Sequence, residues 1–377
     1  MSIRQHNLGS IIKPGFNPLG AQTTTFLYEL YSWGANGNGQ LGLGNTTNYS
    51  SPKQVGSLTT WLNIASGGYF ALAIKTNGTL WSWGSNSYGQ LGLNNTTSYS
   101  SPVQVGALTT WLNIAGGGNH TMAIKTDGTL WGWGYNGLGQ LGLGNVTYYS
   151  SPKQVGALTA WSKTSCGSNY TIASKTDGTL WTWGSNNSGQ LGVGNTTNYS
   201  SPKQVGVLTT WLNIAGGNYH TIATKTDGTL WVWGRNNNGQ LGLGNITNYS
   251  SPMQVGSLTT WLRVTGGRYF TIASTTSGAL WSWGQNTSGQ LGLGDATNRS
   301  SPVQVGALTT WSNIAGGRIF TIATKTDRTL WAWGSGASGA LGLGNTTLYS
   351  SPKQVGALTT WLKVSAAVAW ALGIETI

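Results

Sequence analysis

The sequence predicts an all-β fold, a seven-bladed β-propeller of four-stranded antiparallel blades. The first observation is a unit of 50 residues that recurs seven times without insertion or deletion. The second is that each unit shows strand and turn signals and no helical periodicity. A period near 50 residues lies in the range of propeller blades. The 21 Trp and 15 Tyr residues supply the core, since one buried Trp removes roughly 150–250 Å² from water.

The unit at residues 61–110 shows these signals in order. Gly67-Gly68 ends the first apolar segment, and Asn77-Gly78 predicts the tight turn of a hairpin between the second and third segments. The fourth segment contains Pro102, which an edge strand tolerates because it needs fewer ladder donors. The predicted strands of this unit are residues 61–65, 70–75, 79–83 and 101–105.

The two ends of the chain predict how the ring closes. Residues 371–376 align with the strand that precedes the hairpin turn in other units, and residues 26–34 align with the strand that follows it. The last blade is therefore predicted to be closed by both termini. The propeller is predicted to span residues 26–377, with residues 1–25 as an extended N-terminal arm.

Each unit also carries a longer motif, which is most complete in residues 117–142. It reads Gly117-Gly118-Asn119-His120-Thr121, then Asp127-Gly128-Thr129-Leu130-Trp131-Gly132-Trp133-Gly134, then Gly139-Gln140-Leu141-Gly142. This pattern resembles the repeat of the RCC1 (regulator of chromosome condensation) family and covers residues 26–377. The resemblance implies a seven-bladed propeller closed by a shared blade.

Two departures from the family pattern concern single residues. The histidine survives only as His120 and His220, and other units carry Phe, Tyr or Trp at that place. We therefore interpret both histidines as packing residues. Arg328 replaces the glycine of the hairpin turn, which predicts a positive φ at a cost of about 1 kcal/mol.

No constellation of residues predicts catalysis. Four of the seven acidic residues occupy the hairpin turn of separate units, whereas paired-carboxylate chemistry needs two acids within several ångströms. A metal site would have to gather its ligands from separate blades; the candidates are His6, His120, His220 and Cys166. We predict a non-enzymatic protein with no catalytic residue, cofactor or metal.

Arginine is unevenly placed, because six of the seven arginines lie between residues 235 and 328. These candidate anion-binding residues are Arg235, Arg263, Arg268, Arg299, Arg318 and Arg328. Arg268 and Arg318 hold the same position in neighbouring blades and are expected to point the same way. A one-sided patch of this kind would bind sulfate, phosphate, an acidic polysaccharide or an acidic protein surface. Scattered surface arginines are the open alternative. Two periodic lysine series, at Lys53 and Lys75, are expected to form solvated rings.

The favoured hypothesis for function is a bacteriophage virion component, associated with a tail or fibre. Asn/Thr/Ser/Gly-rich repeats of this type behind a short Gly/Pro arm resemble proteins of tailed phages. The hypothesis implies assembly in the host cytoplasm, anchoring to other virion proteins through the arm, and loops offered to a host-surface polysaccharide or protein. The candidate anchoring residues are Arg4, Lys13, Pro14, Phe16 and Pro18.

The alternative hypothesis is an intracellular RCC1-like module that binds proteins or chromatin. The formal net charge of +12 comes from a shortage of acids, since 19 basic residues face 7 acidic ones. Nucleic acid is therefore the less favoured partner, although the arginines leave contact with DNA open. No segment approaches the roughly 20 apolar residues of a membrane span, so membrane insertion is not expected.

Overall fold

A computed structural model describes residues 27–377 of the chain. These residues form seven antiparallel sheets of four strands each, which confirms the predicted propeller. We number the blades 1 to 7 in the chain order of their innermost strands. Those strands are β3 (Trp61–Ser66), β7 (Trp111–Gly116), β11 (Trp161–Cys166), β15 (Trp211–Gly216), β19 (Trp261–Gly266), β23 (Trp311–Gly316) and β27 (Trp361–Ala366).

The other strands follow outward from the central channel. The second strands are β4 (Phe70–Lys75), β8 (His120–Lys125), β12 (Tyr170–Lys175), β16 (His220–Lys225), β20 (Phe270–Thr275), β24 (Phe320–Lys325) and β28 (Trp370–Thr376). The third strands are β5 (Leu80–Gly84), β9 (Leu130–Gly134), β13 (Leu180–Gly184), β17 (Leu230–Gly234), β21 (Leu280–Gly284), β25 (Leu330–Gly334) and β1 (Tyr28–Gly34). The outermost strands are β6 (Tyr99–Gln104), β10 (Tyr149–Gln154), β14 (Tyr199–Gln204), β18 (Tyr249–Gln254), β22 (Arg299–Gln304), β26 (Tyr349–Gln354) and β2 (Tyr49–Gln54). One short 3-10 turn spans Ala337–Gly339.

Blade 7 joins the two ends of the chain. Its strand order is β2-β1-β28-β27, so a hairpin from the first unit completes a hairpin from the last. Strand β1 pairs with β28 over its whole length, from Tyr28 opposite Thr376 to Gly34 opposite Trp370. The predicted closure by both termini is therefore confirmed. The arm residues Arg4, Lys13, Pro14, Phe16 and Pro18 lie outside the described residues, and the predictions made for them stay predictions.

The core lies between neighbouring blades. In a typical cluster, side chains of blade 1 pack against two tryptophans of blade 2. The blade 1 residues are Phe70, Leu72 and Leu91, and the tryptophans are Trp111 and Trp133. The Trp133 side chain is fully buried. At roughly 25 cal/mol per Å², such a residue stabilises the fold by about 4–6 kcal/mol relative to full exposure.

The repeated Gly-Gln-Leu-Gly loop fastens each blade to the next one. The Gln90 carbonyl oxygen accepts hydrogen bonds from Trp133 Nε1 at 3.0 Å and from Thr121 Oγ1 at 2.8 Å, both in blade 2. Gly92 has φ +74°, and a Cβ there would lie 2.7 Å from Trp133 Nε1. The motif recurs because every blade boundary needs this close approach.

A pair of glycines tests this account of the boundary. Gly192→Ala would place a Cβ 2.6 Å from Trp233 Nε1 at φ +71°, so we expect a loss of about 3 kcal/mol from strain and overpacking. The control is Gly206→Ala, where φ is +60° and nothing lies within 4 Å; it should lose only about 1 kcal/mol. Urea unfolding followed by circular dichroism measures both. Equal losses would contradict the account.

The two lysine series behave differently. The Lys53 series is exposed, as expected. The Lys75 series is not a solvated ring, which corrects the expectation. Lys75 Nζ lies 3.5 Å from the ring centroid of Trp81 and 4.9 Å from that of Trp61, and the residue is 8% exposed. Burial lowers the pKa of the Lys75 amine. The cross-strand pairing of Lys75 with Trp61 places the stem between two indoles.

Candidate functional site

Strand register divides the loops between two faces of the ring. In blade 5, Phe270 pairs with Gly284, which pairs with Arg299, so these residues share one end of the blade. We define the loop face as residues 67–69 and 85–99 and their equivalents at every 50 residues. The opposite hairpin face consists of residues 76–79 and 105–110 and their equivalents.

The six candidate arginines are divided between the two faces of the ring, which agrees with the scattered arrangement that the sequence left open, and their role in anion binding stays a prediction. Arg235, Arg268, Arg299 and Arg318 lie on the loop face. Arg263 lines the other opening of the central channel with Lys163 and three asparagines. Arg328 lies in a hairpin turn with φ +62°, as its replacement of glycine predicts.

Arg299 is engaged within its own loop. Its Nη2 lies 2.5 Å from Asp295 Oδ2, and its Nη1 donates to the Thr297 carbonyl at 2.9 Å. This is the one ion pair found among residues 27–377. Since an exposed pair of this kind contributes about 0–1 kcal/mol, its main effect is to neutralise Arg299 as a site for an external anion.

Arg235 and Arg268 form a site together with two tyrosines of neighbouring blades. The rings of Tyr219 and Tyr269 stack at a centroid distance of 5.8 Å and an angle of 17°. The Arg235 guanidinium carbon lies 5.6 Å from the Tyr219 centroid and 5.0 Å from that of Tyr269. Arg268 lies 4.8 Å from the Tyr269 centroid. We call these four residues the Arg–Tyr ledge.

The ledge holds cations at fixed positions with unused hydrogen-bonding capacity. Stacking on a tyrosine orients a guanidinium and leaves its edge free to donate. Arg235 Nε is buried and has no hydrogen-bond partner among the described residues. Arg268 places a second positive charge against the same Tyr269 ring, and exposed Arg318 follows at the equivalent position of blade 6. An anion bound here would reduce the repulsion between the two guanidinium groups.

The acidic residues lie almost entirely on the other face. Asp295, the one acid on the loop face, is paired with Arg299. The remaining acids lie in hairpin turns or at the adjoining ends of the closure strands: Asp127, Asp177, Asp227, Asp327, Glu29 and Glu375. The arginines of the ledge therefore face solvent with no competing carboxylate, and the loop face attracts negative charge.

His120 and His220 are packing residues, as interpreted from the sequence. Both are fully buried. Thr171 Oγ1 donates to the Gln140 carbonyl, so it must accept from His120 Nε2 at 3.1 Å, which fixes the proton on Nε2. The pair His220 and Thr271 repeats this arrangement at 2.9 Å. Desolvation by burial lowers the pKa of each histidine to about 3.

Residues 27–377 contain neither a cluster of metal ligands nor a membrane-spanning helix. No group of three or more His, Cys, Asp or Glu side chains in this range is placed to hold a metal ion. No helix in the same range is long and apolar enough to cross a membrane.

The sequence identified the arginines of the ledge but not its tyrosines. Tyr219 and Tyr269 occupy loop positions that vary between units, and Arg235 contacts Tyr219 within blade 4 and Tyr269 across the boundary with blade 5. The available signal is tyrosine at the same loop position of two adjacent blades, since blades 2 and 3 carry Asn119 and Asn169 there and tyrosine recurs only in blade 1, as Tyr69.

These observations define a class of protein, a ring of structural repeats. The same Gly-Gln-Leu-Gly contacts recur at the blade boundaries, and differences between repeats are concentrated in the loops of one face. The chain belongs to the family of the regulator of chromosome condensation (RCC1) repeat. Its family model matches residues 29–74, 77–124, 127–174, 177–224, 227–274, 277–324 and 328–369.

Solved structures show the same fold at low identity. Prp20p from Saccharomyces cerevisiae, in a structure described with its binding properties to Gsp1p and histones, is 18% identical with a TM-score of 0.83; the match covers 93% of this chain and 92% of that one. Yeast RCC1 (Prp20) bound to Kap60 is also 18% identical, with a TM-score of 0.84 and coverage of 100% and 96%. Human WBSCR16 is 20% identical, with a TM-score of 0.82 and coverage of 92% and 98%. A comparison with curated protein sequences found no match.

Proposed function

We propose that this protein is a non-enzymatic binding module whose loop face docks an acidic segment of a protein partner. The observation that carries the proposal is the Arg–Tyr ledge: two oriented guanidinium groups, one with a buried unpartnered Nε, on a face whose single acid is already paired. Arg318 extends this positive surface toward the opening of the central channel.

An acidic protein segment fits this site better than duplex DNA. Three free arginines on one side of a ring give a small positive area, and duplex DNA presents a charge every ~1.7 Å along its axis and calls for a longer basic track. The described binding of Prp20p to Gsp1p and of Prp20 to Kap60 supports protein docking as the kind of function proposed for this fold.

The proposal is tested with immobilised polyglutamate and with matched variants. Each replacement is a residue that the same position carries in another blade, so the fold is preserved: Arg235→Ser, Arg268→Ser and Arg318→Ser, as in Ser185 and Ser168. We expect the triple variant to bind about 10- to 100-fold more weakly, since each charge-assisted contact contributes about 0.5–1 kcal/mol at a half-exposed site.

Arg263→Asn is the control, because asparagine stands at this position in blades 1, 2, 4 and 6 and the residue lies at the other opening of the channel. It should bind polyglutamate like the wild type. An equal loss per removed charge in the triple variant and the control would mean that net charge alone is responsible and would reject the ledge as the site. Tighter binding of duplex DNA than of polyglutamate, with a steep salt dependence, would favour the chromatin hypothesis.

The virion hypothesis is a narrower form of this proposal, in which the partner is a neighbouring protein of a phage particle. It depends on the resemblance to phage proteins and on the anchoring arm, which lies outside the described residues. The relatives reported above are yeast and human proteins and add no support, so the virion role stays a prediction.

A further inference from the structure

Three tyrosines meet on the loop face at the boundary of blades 1 and 2, away from the Arg–Tyr ledge in blades 4 and 5. Ring centroids of Tyr135 and Tyr148 are 4.7 Å apart, those of Tyr88 and Tyr135 5.1 Å, and those of Tyr88 and Tyr148 5.8 Å. Tyr88 is 39% exposed and Tyr148 is 46% exposed. We call these three residues the tyrosine cluster.

Each of the three positions carries tyrosine in one blade alone. The residues at the Tyr88 position elsewhere are Asn38, Leu138, Ser188, Asn238, Ser288 and Ser338. Those at the Tyr135 position are Ala35, Ser85, Ser185, Arg235, Gln285 and Ser335. Those at the Tyr148 position are Asn48, Ser98, Asn198, Asn248, Asn298 and Leu348. Three single departures in nearly identical repeats are thus brought together by the fold.

One of these departures gives up a hydrogen bond that other blades use. Asn48 Oδ1 accepts from the Asn36 backbone N–H at 2.7 Å, and Asn198 does the same for Asn186 at 2.7 Å. Tyrosine has no amide oxygen and cannot make this local bond, which stabilises the loop in the other blades. The blade itself does not need Tyr148, since other blades fold with asparagine there. The fold of the blade therefore does not explain the presence of Tyr148.

The surroundings specify an uncharged ligand. The loop-face residues of blades 1 and 2 contain no Asp, Glu, Lys or Arg between positions 85 and 98 or between 135 and 148. They carry Asn, Ser, Thr and Gln instead, together with the three phenol hydroxyls. The cluster therefore combines aromatic faces, which attract the positively polarised C–H groups of a ring, with hydroxyl and amide groups that donate and accept hydrogen bonds.

We propose that the tyrosine cluster binds a neutral sugar unit of a glycan. A pyranose ring has one face of C–H groups that lies against aromatic rings and an edge of hydroxyls that pairs with phenols and amides. An acidic glycan would instead be drawn to the ledge. The site is separate from the Arg–Tyr ledge and does not depend on the proposed function. A protein hot spot rich in tyrosine is the competing use of the same surface.

The test is binding of the full chain to an array that carries both neutral and acidic glycans. The variant is Tyr88→Ser, Tyr135→Ser and Tyr148→Asn combined, each a residue found at that position in another blade. Leu348→Asn is the control. Leu348 occupies the position of blade 6 that is equivalent to Tyr148 and is 50% exposed, so the control also replaces an exposed apolar side chain by asparagine at this position. Circular dichroism confirms that both variants fold.

We expect the wild type and the control to bind at least one neutral glycan and to retain it at high salt. The triple variant should lose affinity by about tenfold or more, since it removes all three aromatic contacts with the sugar ring. The proposal is overturned if no neutral glycan binds, if the triple variant binds like the wild type, or if binding is confined to acidic glycans. A protein partner lost by the triple variant in the absence of glycan binding would assign the cluster to a protein interface instead.

Discussion

Deletion of residues 1–34 is expected to unfold the ring, whereas deletion of residues 1–26 leaves it folded. The first deletion removes β1, whose seven residues pair with β28 and whose Leu30 and Trp33 are fully buried. It also removes the hydrogen bond from Trp33 Nε1 to the Ala340 carbonyl of blade 6. Loss of one core Trp costs about 3–5 kcal/mol, and an ordinary domain has only about 5–15 kcal/mol in all.

Size-exclusion chromatography and thermal unfolding by circular dichroism measure this difference. The shorter deletion should elute and melt like the full chain, because it keeps the whole of β1 and its pairing with β28. The longer deletion should elute as an expanded or aggregated species without a cooperative transition. A cooperative transition within a few degrees of the wild type after removal of β1 would show that the closure does not hold the ring together.

Lowering the pH from 7 to 5 is expected to destabilise the fold by about 4 kcal/mol, about 2 kcal/mol from each buried histidine. Burial lowers the pKa of His120 and of His220 to about 3, while the unfolded chain has a pKa near 6.5. Between these values the unfolded state binds more protons than the folded state, so stability falls as the pH falls. The loss begins near the unfolded pKa, above the range in which carboxylates titrate.

Replacement of both histidines by phenylalanine tests the origin of this loss. Phenylalanine occupies the same position in blades 1, 5 and 6 as Phe70, Phe270 and Phe320, so the double variant is expected to fold. Its free energy of unfolding, measured in urea, should change little between pH 7 and pH 5. A pH dependence equal to that of the wild type would show that other groups are responsible.

The fold could be predicted because the sequence signals that specify it are local and recur in every unit. A fixed 50-residue period, the Asp-Gly and Asn-Gly turns and the half-hairpins at the two ends specify the blade number and the closure. The fate of Lys75 was not predictable from its periodicity alone, since a periodic charge suits a solvated ring equally well. Its burial depends on the cross-strand position of Trp61 and on Trp81, which share its end of the sheet.

The candidate site was predicted only in part, because nearness in sequence does not say which face a residue occupies. The bias of arginine toward blades 4 to 6 pointed to Arg235, Arg268 and Arg318, which lie on the loop face. Strand register sends Arg263 and Arg328 away from them, and a neighbouring Asp295 neutralises Arg299. The tyrosines that orient Arg235 come from two different blades, and the packing of blade 4 against blade 5 brings them together.

The central claim, that an acidic partner docks on the loop face at the Arg–Tyr ledge, is tested most directly by site-specific photo-cross-linking to tagged polyglutamate. A photoreactive residue replaces Asn237, which is exposed beside the Arg235 loop, or Ser277, which is exposed in the hairpin turn of blade 5. We expect cross-links from position 237 that high salt abolishes, and none from position 277. Cross-links from position 277 and none from position 237 would contradict the claim and assign binding to the hairpin face.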